Sequence, residues 1–172
     1  MKRPEPNEYD PYYIGYISQI KDDEDLLTAM ERQPEEMRTM FAQFPEDRGT
    51  YAYSDGKWTI KELLSHLNDG ERMFAYRLLR VSRGDQTPIE GFDQEGGYIE
   101  NSNANAQPIG ELLEEFELQR RANMIQLRNL SDEAAARMGT ANNVPVSARA
   151  IAYVMAGHVR HHQNILKERY LP

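Results

Sequence analysis

Four histidines occur in 172 residues, and two of them, His158 and His162, stand four apart in a stretch with helical hydrophobic spacing. Side chains at i and i+4 stack on one helix face, so two imidazoles at that spacing can reach a single ion. Both fall inside the apolar stripe of Ala148, Ile151, Ala152, Met155, Val159 and Leu166, while His161 lies toward its edge. The remaining histidine, His66, flanks a second stripe, formed by Ile60, Leu63, Leu64, Leu67, Phe74, Leu78 and Val81, in line with Gly70, Met73 and Arg77. Convergence of His66, His158 and His162 gives three neutral imidazoles and an open position, the pattern of catalytic rather than structural metal sites. Such a set suits a divalent ion, zinc or nickel first, with iron or manganese as alternatives. The competing reading is a set of core histidines whose ring nitrogens find protein or water partners.

Further polar residues interrupt the apolar faces. Gly70 costs a helix interior ~1 kcal/mol relative to alanine, so its missing side chain serves either room above a metal or close helix packing. Glu71 and Arg120 fall within the stripes of two different helices. They read either as a buried ion pair that fixes helix register, or as groups serving the metal or substrate. Arg77, on the ridge of His66, is a candidate for a substrate carboxylate; the alternative is an arginine that snorkels to water. Asn123 is a network member or a pocket residue. Met30, Met37 and Met40 read as core filling, and Tyr51, Tyr53 and Tyr98 as packing residues or the mouth of a pocket.

These residues need helices to position them. A first helix is expected over about 23–44, broken or kinked at Pro34, which removes a backbone donor. A second, over 60–83, has the clearest start. Thr59 and Glu62 form a capping box, Trp58 can staple onto Leu63, and Gly84 follows the end. A third runs over about 108–130 with Pro108 at its first position. A short helix over 131–138 is closed by Gly139. After a turn at 142–145, a last helix capped by Ser147 extends to about 169. Between the second and third helices, 84–107 carries Gly91, Gly96, Gly97, Asn101, Asn103 and Asn105 without sustained periodicity, a long connection of the kind that usually has a function. The pattern is an all-α, four-helix bundle forming a single domain over 1–172.

Composition narrows the function. With 20 Lys+Arg against 28 Asp+Glu the net charge is −8, and no basic run supplies the face that nucleic-acid binding needs. The absence of cysteine removes thiolate zinc sites, iron–sulfur clusters, disulfides and cysteine nucleophiles. A chain of this length buries roughly 70% of its unfolded surface, so a core forms without a structural metal, and a metal would be functional. No apolar stretch approaches the ~18–20 residues of a membrane span, and no secretory h-region follows the amino terminus; a cytoplasmic location is expected. No phosphate-binding glycine loop, dinucleotide fingerprint or nucleophile elbow is present.

The segments Tyr53-Ser54-Asp55-Gly56-Lys57-Trp58-Thr59-Ile60-Lys61-Glu62, His66-Leu67-Asn68-Asp69-Gly70-Glu71-Arg72 and Ala156-Gly157-His158-Val159-Arg160-His161-His162 together resemble the DinB-like superfamily, the DinB/YfiT-like metalloenzymes. Arg77, Gly91-Phe92-Asp93 and Arg120 match its pattern too. The resemblance implies an up-down-down-up four-helix bundle, often homodimeric, with a divalent metal on His66, His158 and His162; His161 matches a neighbour that is not usually a ligand. Joining parallel helices would also account for the long crossover at 84–107. The wider superfamily includes thiol-dependent transferases and isomerases that use low-molecular-weight thiols such as bacillithiol or mycothiol.

The expected function is thus a metal-dependent enzyme that activates a water or a low-molecular-weight thiol toward a small-molecule substrate, in transferase or hydrolase chemistry. Arg77 and Glu71 are its candidate catalytic side chains. The rivals are a non-catalytic small-molecule-binding or stress-response module and a structural dimerisation protein.

Overall fold

A computed structural model describes residues 1–93 and 97–171. Gly96, one of the glycines noted in the long connection, lies outside the described residues. Four helices form the bundle: α2 (Leu26–Phe41), α3 (Ile60–Ser82), α4 (Ile109–Arg128) and α6 (Ala148–Ile165), with α1 (Ile14–Ile17) and α5 (Asp132–Ala136) as short additions. Their apolar stripes meet in the interior, where Leu64, Met30, Phe116 and Ala152 are fully buried.

Cross-helix contacts fix the directions. Asn68 Nδ2 donates to Leu112 O (3.0 Å) and Arg120 bonds Glu71, so α3 and α4 advance in parallel. Arg38 meets Glu117 and Arg128 meets Glu31, which makes α2 antiparallel to α4. His66 faces His162, and Gly70 faces His158, so α6 opposes α3. The result is the up-down-down-up bundle, with its long crossover between the second and third bundle helices, α3 and α4.

The helix starts follow local chemistry. Thr59 Oγ1 accepts from Glu62 N while the Glu62 carboxylate accepts from Thr59 N, completing the capping box of α3. Ser147 Oγ caps α6 by accepting from Ala150 N. Pro108 is the N-cap of α4 rather than its first helical residue, and the Glu46 carboxylate, reaching from a distant loop, accepts from Ile109 N.

Two further expectations need correction. Pro34 does not break the first helix but lies inside a continuous α2. An interior proline costs ~3 kcal/mol, and burial of Met30, Gln33, Met37, Met40 and Phe41 on either side outweighs it. Gly139 does not close a helix: it belongs to a strand, β1 (Met138–Ala141), which pairs antiparallel with β2 (Val144–Ser147). Asn142 and Asn143, with φ of 54° and 62°, form the two-residue turn, where left-handed backbone matches the twist of a hairpin. Glycine at 139 permits close approach, since a Cβ there would lie 2.7 Å from Val81 Cγ2 of α3. The crossover is pinned to this hairpin, Ile89 N donating to Thr140 O and Asn142 N to Ile89 O, both at 2.9 Å.

The amino-terminal segment supplies α1, which packs against α6 with little clearance. At Gly157 a Cβ would lie 1.9 Å from Tyr16 O. Beyond α6 the chain continues through a π-helical turn, Leu166–Tyr170, whose Tyr170 hydroxyl donates to Trp58 O at 2.6 Å. No helix among the described residues is long and apolar enough to cross a membrane.

Candidate metal centre

The middle of α3 and the second half of α6 bring His66, His158 and His162 together. His66 Nε2 lies 2.9 Å from His158 Nε2 and 3.1 Å from His162 Nε2, and the ligand atoms of the cluster all fall within 4.8 Å of one another. All three rings are buried. Gly70 sits beside them, where a Cβ would lie 2.9 Å from His158 Cε1 and 3.2 Å from its Nδ1. Its missing side chain therefore makes room for the His158 ring itself, so close packing and the histidine cluster are served by one position. His161 stays outside the cluster, edge-on to Tyr16 (5.4 Å) and to His162 (5.1 Å).

Burial sets the protonation of the cluster. Desolvation, with a smaller push from His161, lowers the His66 imidazole to about 4. His158 and His162 are driven well below 6.5, again first by burial and then by their neighbouring imidazoles. All three are neutral near pH 7, the form in which imidazole binds a metal.

Hydrogen bonding alone leaves this cluster unsatisfied. A neutral imidazole has one N–H and one lone pair, so His66 Nε2 can make only one good bond to its two neighbours. His66 Nδ1 and His162 Nδ1 are also buried without a partner among the described residues. Three converging Nε2 atoms suit a cation instead. In a tetrahedral site with ~2.0–2.1 Å bonds, ligand nitrogens stand about 3.3 Å apart, close to the two separations measured from His66 Nε2. The donor set fits a divalent ion such as zinc, nickel, iron or manganese.

A cavity of about 490 Å³ opens on two histidines of the cluster and on His161. Tyr16, Lys57, Trp58, Leu63 and Ile165 line it together with His66 and His162. The Trp58 ring lies 4.6 Å from the His66 ring, a contact more specific than the staple expected of it, although Trp58 and Leu63 do share this wall. Burial pushes the Tyr16 hydroxyl up to about 12, so it is a neutral donor. Tyr53 is at the cavity as anticipated; Tyr51 packs near Tyr170, and Tyr98 lies away in the crossover beside Phe92. Tyr16 and Tyr170 carry no signal in sequence, because each reaches the site from an end of the chain.

The family profile of the DinB superfamily matches residues 29–166. The chain belongs to the DinB superfamily. Among solved structures it is similar to YfiT from Bacillus subtilis, with a TM-score of 0.74, 15% identity, and coverage of 99% of this chain and 95% of that one. YfiT is described as a probable metal-dependent hydrolase with an unusual four-helix bundle topology. At that identity the likeness establishes the fold. Comparison with curated proteins gave no match.

The other predicted residues separate into two groups. Glu71 and Arg120 form a two-pronged ion pair, with Nε to Oε1 at 2.7 Å and Nη2 to Oε2 at 2.8 Å. Asn123 Nδ2 donates to the same carboxylate at 2.9 Å. Arg120 Nη1 donates to Gln33 Oε1, and Gln33 Nε2 donates to Ala156 O at 2.7 Å. That chain of bonds joins α3, α4, α2 and α6 in one layer. Gln33 was missed, although it interrupts the stripe between Met30 and Met37 just as Glu71 interrupts its own. Arg77 stands elsewhere. It does not snorkel: it is 5% exposed and borders a separate cavity next to His158.

Proposed function

We propose that His66, His158 and His162 hold one divalent ion and that the protein is a metal-dependent enzyme acting on a small molecule in the adjoining cavity. The observation that carries this reading is the convergence of three buried, neutral Nε2 atoms that hydrogen bonds cannot satisfy together. When bound, such an ion supplies Lewis acidity that lowers the pKa of a water or a thiol, yielding a nucleophile near neutral pH.

The side chains of the cavity do the rest. Trp58, Leu63 and Ile165 present apolar walls that limit bulk water around the reacting group. Lys57 is the only Lys or Arg among the described residues lining the cavity, and no carboxylate lines it; it favours an anionic group on the substrate. Tyr16, kept neutral, is placed to donate a hydrogen bond at the histidine face. Glu71 acts here through architecture, by holding α3 and α4 in register, rather than by touching substrate.

The absence of cysteine fits a thiol brought by a cosubstrate, and a water serves equally in a hydrolase such as YfiT is described to be. The resemblance to thiol-dependent relatives favours the transferase, in a cytoplasmic homodimer. The test is elemental analysis of untagged protein purified without nickel resin, beside His66→Ala and His162→Ala. About one divalent ion per chain, lost in both variants, supports the proposal. An apo wild type after supply of zinc, nickel, iron and manganese rejects it in favour of a non-catalytic binding module.

A further inference from the structure

The second cavity, about 220 Å³, lies between α3, the amino-terminal segment and the hairpin, with His158 in its wall. Its distinctive feature is Arg77. The residue is 5% exposed, and among the described residues its Nε is buried without a hydrogen-bond partner and its side chain forms no ion pair. Its surroundings are largely aromatic: the Phe74 ring lies 6.0 Å and the Phe92 ring 5.9 Å from the guanidinium carbon, and Tyr12, Tyr13, Tyr16 and the amide of Asn142 share the wall. Among the described residues that line this cavity the acidic one is Asp93, which is exposed.

An arginine remains charged in a protein, and burying a charge without a counter-charge is expensive. The same bundle shows the alternative at Arg120, whose fork is fully engaged by a carboxylate and an amide. A fork left open into a cavity is suited to a planar anion, which it can grip through two parallel bonds. The walls specify the rest of the ligand, since faces of Phe74, Phe92 and Tyr13 pack against an apolar or aromatic body. At ~30 Å³ per water the cavity holds about seven waters, a volume that fits a single-ring acid.

We infer that the cavity beside Arg77 is a binding subsite for a small aromatic carboxylate, with the carboxylate on the Arg77 guanidinium and the ring between Phe74, Phe92 and Tyr13. The subsite stands independently of the metal. His158 has its Nε2 in the histidine cluster and borders this cavity as well, so a bound acid lies alongside one histidine of the metal centre.

The test is titration of metal-free protein with phenylacetate and, separately, with phenylacetamide, followed by protein NMR and calorimetry. Saturable binding of the acid, with the neutral amide at least about tenfold weaker, is the expected result. Arg77→Gln removes that preference, and Arg77→Lys, which keeps charge but loses the fork, retains part of it. His162→Ala binds phenylacetate as the wild type does, which separates this subsite from the metal reading. The inference is overturned if the acid does not saturate, if the amide binds as well as the acid, or if Arg77→Gln folds and binds phenylacetate unchanged. Displacement of phenylacetate by acetate or inorganic phosphate at equal concentration likewise overturns the aromatic part, leaving an unselective anion hole. The acid-against-amide comparison is made on the wild type, so it decides the matter even if the Arg77 variants fail to fold.

Discussion

Two polar clusters are buried within a few residues of each other in this bundle, and they are built on opposite principles. In the layer of Glu71, Arg120, Gln33 and Asn123, every charged group meets a matching partner and the chain of bonds runs across all four helices. In the layer of His66, His158 and His162, three like atoms face one another and two outer nitrogens find nothing. Polar groups are expensive to bury in either case. A saturated network recovers that cost within the chain and specifies helix register. An unsaturated one recovers it only from something the chain does not contain.

The comparison breaks most visibly at Arg120. Arg120→Met leaves the Glu71 carboxylate buried without its counter-charge and is expected to cost about 3–5 kcal/mol, read as a lowered urea midpoint. Metal content per folded chain should be unchanged, because no histidine is touched. A variant that unfolds little while losing its metal would reverse the roles assigned to the two layers.

Acid should act on the other layer. The three imidazoles are neutral in the folded protein and take up protons in the unfolded chain near 6.5, so their folded-state values are depressed. Stability of the metal-free protein is then greatest above 6.5 and falls as pH drops from 6.5 toward about 4. His66 alone accounts for about 2 kcal/mol lost by pH ~5, with further loss from His158 and His162. Thermal melts across this range in chelator, with the His66→Gln variant showing a shallower decline, would check it; a pH-independent melting temperature would contradict it.

His162→Ala sharpens the contrast from the functional side. The ring faces a cavity, so its removal is expected to change metal-free stability by only about 1 kcal/mol. Added divalent ion stabilises whatever binds it, so the wild type should gain melting temperature with zinc or nickel and the variant should not. Equal gains in both proteins would place the ion elsewhere. The smallest effect is expected at Gly70→Ala. Helix propensity favours alanine by ~1 kcal/mol, and the new Cβ presses on the His158 ring; stability should barely move while metal affinity falls about tenfold, measured by competition with a chromogenic chelator.

Much of the site was legible because helical periodicity converts sequence spacing into faces. His158 and His162 needed only the i, i+4 rule, and Glu71 and Arg120 were found as charges on apolar stripes. Gln33 obeyed the same rule and went unnoticed because an uncharged amide contrasts less with methionine neighbours. Tyr16 and Tyr170 followed no rule of that kind. They come from segments some 150 residues apart, and no local pattern records that two chain ends close around one cavity. The hairpin was hidden for a different reason. Its strands are four residues each, too short for alternation to stand out, and Gly139 and Pro145 read as punctuation until their strand pairing is seen.

The sequence alone determined which four helices make the bundle, where α3 and α6 begin, and which charged residues and histidines fall on inward faces, since capping, periodicity and charge act over a few residues. The order of the bundle came from the resemblance to the DinB-like superfamily, and the long crossover fits it, because parallel neighbours cannot be joined by a short turn. Only the tertiary structure decided which buried charges are answered. Arg120 and Arg77 are alike as arginines on inward faces, yet one lies opposite Glu71 and Gln33 and the other opens on an aromatic cavity. That distinction depends on what the neighbouring helix presents at the same height, a relation set by packing across the bundle rather than by spacing along the chain.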